Sequence, residues 1–135
     1  MNGGVMDPAK STRIFLVEDE AVIAMDLRER LTALGYEVCG TAAGGETAVQ
    51  RIAELQPDIV LMDVGLAGSM DGVEVAQKLG ECYDVPIVFL TAYSHPELIA
   101  RASRTNSYGY LVKPFEEREL HATLQVALAR FRALR

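Results

Sequence analysis

The sequence predicts an α/β domain in which five short parallel strands alternate with five helices. Two observations carry this expectation. Short apolar runs recur along the chain, and they are continuous rather than alternating, which suits strands covered on both faces of a parallel sheet. Between them, apolar residues return every third or fourth position, the spacing of one face of a helix.

The elements follow in order. Ile14-Phe15-Leu16-Val17 is the first run. Ala24, Leu27, Leu31 and Leu34 then form a helical stripe, with Gly35 placed to end it as a C′ residue. Glu37 to Ala43 is a weaker, mixed segment that suits an outer strand. Ala48, Ile52 and Leu55 mark a second helix, which stops before Pro57. Ile59-Val60-Leu61-Met62 is the next run, and Asp71-Gly72-Val73-Glu74 has capping-box spacing for a third helix. Ile87-Val88-Phe89-Leu90 precedes Ser94-His95-Pro96-Glu97, which has the same spacing with proline in the first turn. Tyr110-Leu111-Val112 is the last run, and Leu120, Leu124, Ala127, Phe131 and Leu134 line the last helix. Right-handed crossovers between such units put helices on both faces of the sheet. One such arrangement is the flavodoxin-like doubly wound (βα)5 fold, with strand order 2-1-3-4-5. Residues 1–12, with Gly3, Gly4, Asp7, Pro8 and Ser11, read as a flexible polar lead, and residues 13–135 as one domain.

Composition narrows the function. The chain has 135 residues, half of them hydrophobic, which is enough to fill one core. A formal charge of −6 argues against a direct nucleic-acid binder. No apolar stretch is long enough for a membrane span, and the first residues lack the apolar segment of a signal peptide. Cys39 and Cys82 form no metal-binding spacing and read as reduced thiols of a cytoplasmic protein. The charge is uneven. Residues 37–100 hold 10 acids and 2 bases, whereas residues 101–135 hold 3 acids and 7 bases.

In an open α/β sheet, ligands sit at the carboxyl ends of the strands. Just past the first run come Glu18, Asp19 and Glu20; past the third, Asp63; past the fourth, Thr91; past the fifth, Lys113. Crowded carboxylates repel one another and invite a cation. Mg²⁺ suits oxygen donors of this kind and also accepts phosphate oxygens. Thr91 and Lys113 would hold the remaining oxygens of a phosphoryl group, and Asp63 could act as the nucleophile that forms an acyl phosphate. Singly, each residue has a plainer reading. The acidic run suits the first turn of a helix, Asp63 a turn, and Lys113 a solvated loop. Their joint placement at successive strand ends favours the site.

These residues resemble the receiver domain of two-component response regulators. The segments that carry the resemblance are Phe-Leu-Val-Glu-Asp-Glu at 15–20, Asp-Ile-Val-Leu-Met-Asp at 58–63, Met-Asp-Gly at 70–72, Phe-Leu-Thr-Ala at 89–92 and Gly-Tyr-Leu-Val-Lys-Pro-Phe at 109–115. The resemblance implies that Asp63 accepts a phosphoryl group from a histidine kinase or phosphotransfer protein. It implies a Mg²⁺ site made by Glu18, Asp19, Asp63 and the backbone carbonyl of Gly65. Thr91 matches the switch hydroxyl, Lys113 the lysine paired with the phosphoacceptor, and Tyr110 the switch aromatic. The Lys113–Pro114 bond is usually cis in this family. The output would pass to a protein target through the face of the fourth helix, fifth strand and fifth helix, which is also the family's usual dimer surface. Arg101, Arg104 and Arg118 lie around that face. The chain departs from the common pattern in having Glu18 where aspartate is commoner, and a loop after Asp63 without the usual proline.

The resemblance makes the chain a phosphoacceptor switch rather than an enzyme. A Mg²⁺-dependent phosphohydrolase with an aspartate nucleophile would share this logic, but would want a general acid and a substrate cap. A docking module that has kept the fold without using phosphorylation is a third reading. His121 reads as an exposed residue on the last helix, and no nucleotide-binding motif is present.

Overall fold

The computed structural model describes residues 12–66, 70–91, 96–102 and 107–134. The strands are β1 (Arg13–Val17), β2 (Glu37–Ala42), β3 (Ile59–Asp63), β4 (Ile87–Thr91) and β5 (Ser107–Val112). The helices are α1 (Ala21–Ala33), α2 (Gly45–Leu55), α3 (Gly72–Gly80), α4 (Pro96–Ala102) and α5 (Glu117–Ala133). All neighbouring strands pair in parallel, in the order β2-β1-β3-β4-β5. This is the strand order expected from the sequence.

Side chains of a strand alternate between the two faces, and each face has its own core. Phe15, Val17, Val60, Met62 and Phe89 pack with Ala48 and Ile52 of α2 and with Val73, Ala76 and Leu79 of α3. Ile14, Leu16, Ile59, Leu61, Val88 and Leu90 pack with Leu27 and Leu31 of α1 and with Leu120, Leu124, Ala127 and Leu128 of α5. Every residue of β3 and β4 is buried, which is why these strands are continuous apolar runs. Helix α4 packs against α3.

The local signals act as expected. Gly35 has φ 98°, the left-handed conformation that ends a helix without a Cβ penalty. Asp71 and Glu74 form a reciprocal capping box at the start of α3. Both cysteines are free. Residues 1–11, the proposed cap Ser94, and Arg104 lie outside the described residues.

Three expectations need correction. Strand β5 begins at Ser107, three residues before its apolar run, because this partly exposed edge strand tolerates Ser107 and Gly109, with Tyr108 alone of the three packing against the core. On α5, Leu134 is exposed and Leu128 takes its place in the core. His121 does not simply face solvent. Its Nδ1 hydrogen-bonds the hydroxyl of buried Tyr36 at 2.9 Å, and Gln125 Nε2 donates to the same oxygen at 2.8 Å. A buried phenol needs such partners.

Candidate functional site

The carboxyl ends of β1, β3, β4 and β5 converge on one acidic pocket. Glu18 directly follows β1, where its N–H still donates to Ala42 of β2 at 3.0 Å. That bond carries the sheet ladder one residue further and holds Glu18 buried at the sheet edge. One Glu18 oxygen, Oε2, accepts the Glu20 N–H at 3.0 Å. Helix α1 starts only at Ala21, so the three acids lie in the strand-to-helix turn and not in the first helical turn. The carboxylate oxygens of Glu18, Asp19 and Glu20 lie within 4.8 Å of one another. Glu20 is thus a third acid of the cluster, and in the sequence only its place in the acidic run points to it.

Asp63 is the last residue of β3 and is buried. Its Oδ1 accepts the Gly65 N–H at 2.8 Å, and its Oδ2 accepts from Lys113 Nζ at 3.0 Å. The same ammonium lies 3.5 Å from Glu18 Oε1, so one cation bridges two carboxylates from different strands. The Lys113 N–H donates to the Thr91 carbonyl at 2.8 Å, which fixes the backbone there, and the Lys113–Pro114 bond is cis. Thr91, the last residue of β4, is buried at the same edge. Gly65 is exposed beyond Asp63. Tyr110 lies on β5, partly buried, with its ring stacked on Phe89 at 6.2 Å between centroids.

Electrostatics follow from the crowding. Burial pushes the Glu18 carboxyl up from 4.5 to about 7; its bond from Glu20 opposes this, the Asp63 charge adds to it, and Lys113 opposes it. Burial alone would lower Lys113, but the hydrogen bond and charge of Asp63, followed by those of Glu18, hold it above its ordinary value. The pocket therefore keeps its ammonium and carries more carboxylate charge than one lysine offsets.

In the sequence Gly72 is only part of a motif, and the structure gives it a second role. Its N–H donates to the Val64 carbonyl at 3.1 Å, and a Cβ there would lie 2.3 Å from the Asp63 carbonyl oxygen. Beside the acids, a cleft of about 300 Å³ is lined by residues that include Ala21, Ala24, Met25, Arg28 and Ala42. Met25, which lines it, and Val22 on the same helix are exposed.

Residues 14–125 match the response regulator receiver domain family, and the chain belongs to it. Transcriptional regulatory protein PdtaR of Mycobacterium tuberculosis is 42% identical over 129 residues, which cover 95% of this chain and 62% of the relative. Phyllosphere-induced regulator PhyR of Methylorubrum extorquens is 34% identical over 119 residues, covering 87% of this chain and 44% of that protein. The chain thus spans about half to two thirds of the length of these curated relatives. Among solved structures, the signal receiver domain of a modulated diguanylate cyclase from Desulfovibrio desulfuricans G20 superposes with a TM-score of 0.85 at 38% identity. That match covers 91% of this chain and 98% of the other. The protein is therefore a receiver domain of the two-component response regulator type. No helix among the described residues is long and apolar enough to cross a membrane.

Proposed function

We propose that this chain is a phosphorylation-operated switch whose phosphoacceptor is Asp63. The observation that carries the reading is the Lys113 ammonium held between the Asp63 and Glu18 carboxylates at the ends of three strands, in a chain of this family. A carboxylate oxygen of Asp63 attacks the phosphorus of a phosphohistidine on a sensor kinase or phosphotransfer protein. The P–N bond breaks as the acyl phosphate forms, and the histidine nitrogen leaves with the bonding pair. Lys113 then moves with the charge onto the phosphoryl oxygens, and the Thr91 hydroxyl donates to another.

The donor set fits a divalent cation. Oxygens of Glu18, Asp19 and Glu20 lie within 4.8 Å of one another, Glu18 and Asp63 share the Lys113 ammonium, and carboxylates outnumber cations there. Glu18, Asp19, Asp63 and the Gly65 carbonyl would hold Mg²⁺, which supplies charge neutralisation for the transferred group. The chain takes part in forming and losing its own acyl phosphate and does not turn over a separate substrate.

Tyr110 stands one strand away from the site, stacked on Phe89, and its repacking would carry the change to the face of α4, β5 and α5. That face would meet a protein target or a second copy of the chain, and the kinase would meet the acidic pocket, in the cytoplasm. The test is incorporation of label from acetyl phosphate with Mg²⁺. Wild type takes up one phosphoryl group, and Asp63→Asn takes up none. Undiminished labelling of Asp63→Asn overturns the assignment.

A further inference from the structure

We infer that Arg30 of α1 is a positioning residue for Lys113, holding residues 113–115 so that the ammonium meets Asp63. The inference rests on the proposed role of Asp63 and adds to it a residue outside the acidic pocket.

The tie is built from three contacts. Arg30 Nη1 donates to the Phe115 carbonyl at 3.2 Å. The Arg30 guanidinium carbon stands 5.8 Å from the centroid of the Phe115 ring, within the reach of a cation–π contact. Asp26, one turn earlier on α1, accepts from Arg30 Nε at 3.1 Å and so limits the directions the guanidinium can take.

Phe115 lies two residues beyond Lys113, and the start of that segment is fixed from another element. The Lys113 N–H donates to the Thr91 carbonyl at the end of β4, at 2.8 Å. The segment is thus held from β4 at Lys113 and from α1 at Phe115, with only Pro114 between them. Proline fixes its own φ, so two such anchors leave the backbone beneath Lys113 little freedom.

Helix α1 gives the tie a firm support. Leu27 and Leu31, beside Arg30 on the helix, are buried in the core against which Phe115 also packs. At its other end α1 continues directly from the acidic run 18–20, and the Glu20 carbonyl accepts the Ala24 N–H at 3.0 Å. The helix that reaches the lysine segment through Arg30 therefore also carries on from the turn that presents Glu18. The ammonium spans the two parts, 3.0 Å from Asp63 Oδ2 and 3.5 Å from Glu18 Oε1. A donor placed this closely is sensitive to small shifts of the backbone that bears it.

The size of the effect follows from exposure. The Arg30 side chain is 35% exposed and that of Asp26 is 58% exposed. Phe115 keeps its packing when the tie is cut. Labelling of Asp63 should then slow by roughly two- to fivefold, well short of the hundredfold or so that a misplacement of about 1 Å can cost.

The test measures the initial rate of labelling by acetyl phosphate with Mg²⁺, for the whole chain. A small phosphodonor keeps the docking of a partner protein out of the measurement. Wild type is compared with Arg30→Met, Arg30→Lys, Lys113→Met and the double variant Arg30→Met/Lys113→Met. Methionine keeps an apolar chain beside the Phe115 ring and removes the donors. Arg30→Met is expected to label about two- to fivefold more slowly than wild type. Arg30→Lys, which keeps the charge and a donor, should regain part of that rate. In the Lys113→Met background, Arg30→Met should change nothing further, because no ammonium is left to position. Labelling of Arg30→Met at the wild-type rate overturns the inference, even where stability to urea falls, because a merely structural tie would alter stability alone. Equal slowing with and without Lys113 overturns it as well, and so does an Arg30→Lys rate no better than that of Arg30→Met. Failure of wild type to take up label, or undiminished labelling of Asp63→Asn, overturns the proposed function and this inference together. Failures confined to the Arg30 variants overturn the inference and leave the role of Asp63 standing.

Discussion

Replacing Gly72 with alanine should destabilise the domain, although alanine is the better helix former. The added Cβ would sit 2.3 Å from the Asp63 carbonyl oxygen, 2.8 Å from the Val64 Cα and 3.0 Å from the Asp63 carbonyl carbon. Non-bonded heavy atoms settle near about 3.5 Å, so the start of α3 and the end of β3 must separate by about 1 Å. All three obstructing atoms are backbone, so no side-chain rotation relieves the contact. Overpacking of this kind costs about 1–3 kcal/mol, and the helix propensity of alanine returns at most about 1 kcal/mol. The worked expectation is a net loss of about 2 kcal/mol at the upper end of that range. Gly80, at the other end of the same helix, has open space within 4 Å of where a Cβ would stand and serves as the internal control. Gly80→Ala should gain about 0.4–1 kcal/mol. Urea unfolding followed by circular dichroism measures both. A Gly72→Ala protein as stable as wild type would refute the reasoning, and would mean that the cap and the phosphoacceptor strand can part freely.

Lys113→Met should leave the fold intact but slow labelling of Asp63 by acetyl phosphate on the order of a hundredfold, the scale for losing a preorganised donor to developing charge; labelling at the wild-type rate would remove Lys113 from the site. Tyr36→Phe strips the shared hydroxyl from His121 and Gln125 and should cost about 1 kcal/mol in urea unfolding, with no loss counting against a structural role for that network. The metal-free domain should lose stability as pH rises from about 4.5 to about 7. Glu18 has a higher folded than unfolded pKa, so its contribution is complete below 4.5 and gone above about 7. The loss is at most about 3 kcal/mol by the size of the shift. Denaturation midpoints in EDTA across that range, repeated with Mg²⁺, check it, and a midpoint in EDTA that climbs through the window contradicts it.

Much of this architecture is legible in the residues because burial and pattern coincide. Strands β1, β3 and β4 lie inside the sheet, so their runs are continuous and easily read. Strand β5 has one open edge, and in Ser107-Tyr108-Gly109 only Tyr108, which packs against the core and the Phe131 ring, carries an apolar signal, too little to mark a strand. Glu18, Asp19, Asp63, Thr91 and Lys113 follow from the rule that strand ends hold ligands, which needs only the strands, whereas Gly65 and Tyr110 come only from the resemblance. That rule says nothing about partners. The sharing of Lys113 between Asp63 and Glu18, the Tyr36–His121 bond across 85 residues and the Asp71–Arg101 pair across 30 depend on how elements distant in sequence pack together. In the sequence Arg101 is one basic residue among several, and only the approach of α4 to α3 gives it a particular carboxylate.

The charge pattern gains its meaning from this geometry. Glu18 and Asp63 share a single ammonium, Lys113, and Asp19 and Glu20 add further carboxylates beside Glu18, so acids outnumber cations at this edge. A second lysine would reduce that imbalance, but it would offer donors where a phosphoryl group needs a hard Lewis acid with open positions. A site balanced with its cation is unbalanced again when a phosphoryl group arrives with new negative charge. On the proposed reading, the groups that would answer are the Lys113 ammonium and the Thr91 hydroxyl. Both belong to elements on the α4 side of the sheet: Thr91 ends β4 and Lys113 follows β5. The opposite edge strand, β2, ends in Ala42 and brings no charged side chain to its carboxyl end. On the proposed role of Asp63, electrostatic compensation there would be transmitted toward α4 and β5, because that is where these two groups are anchored.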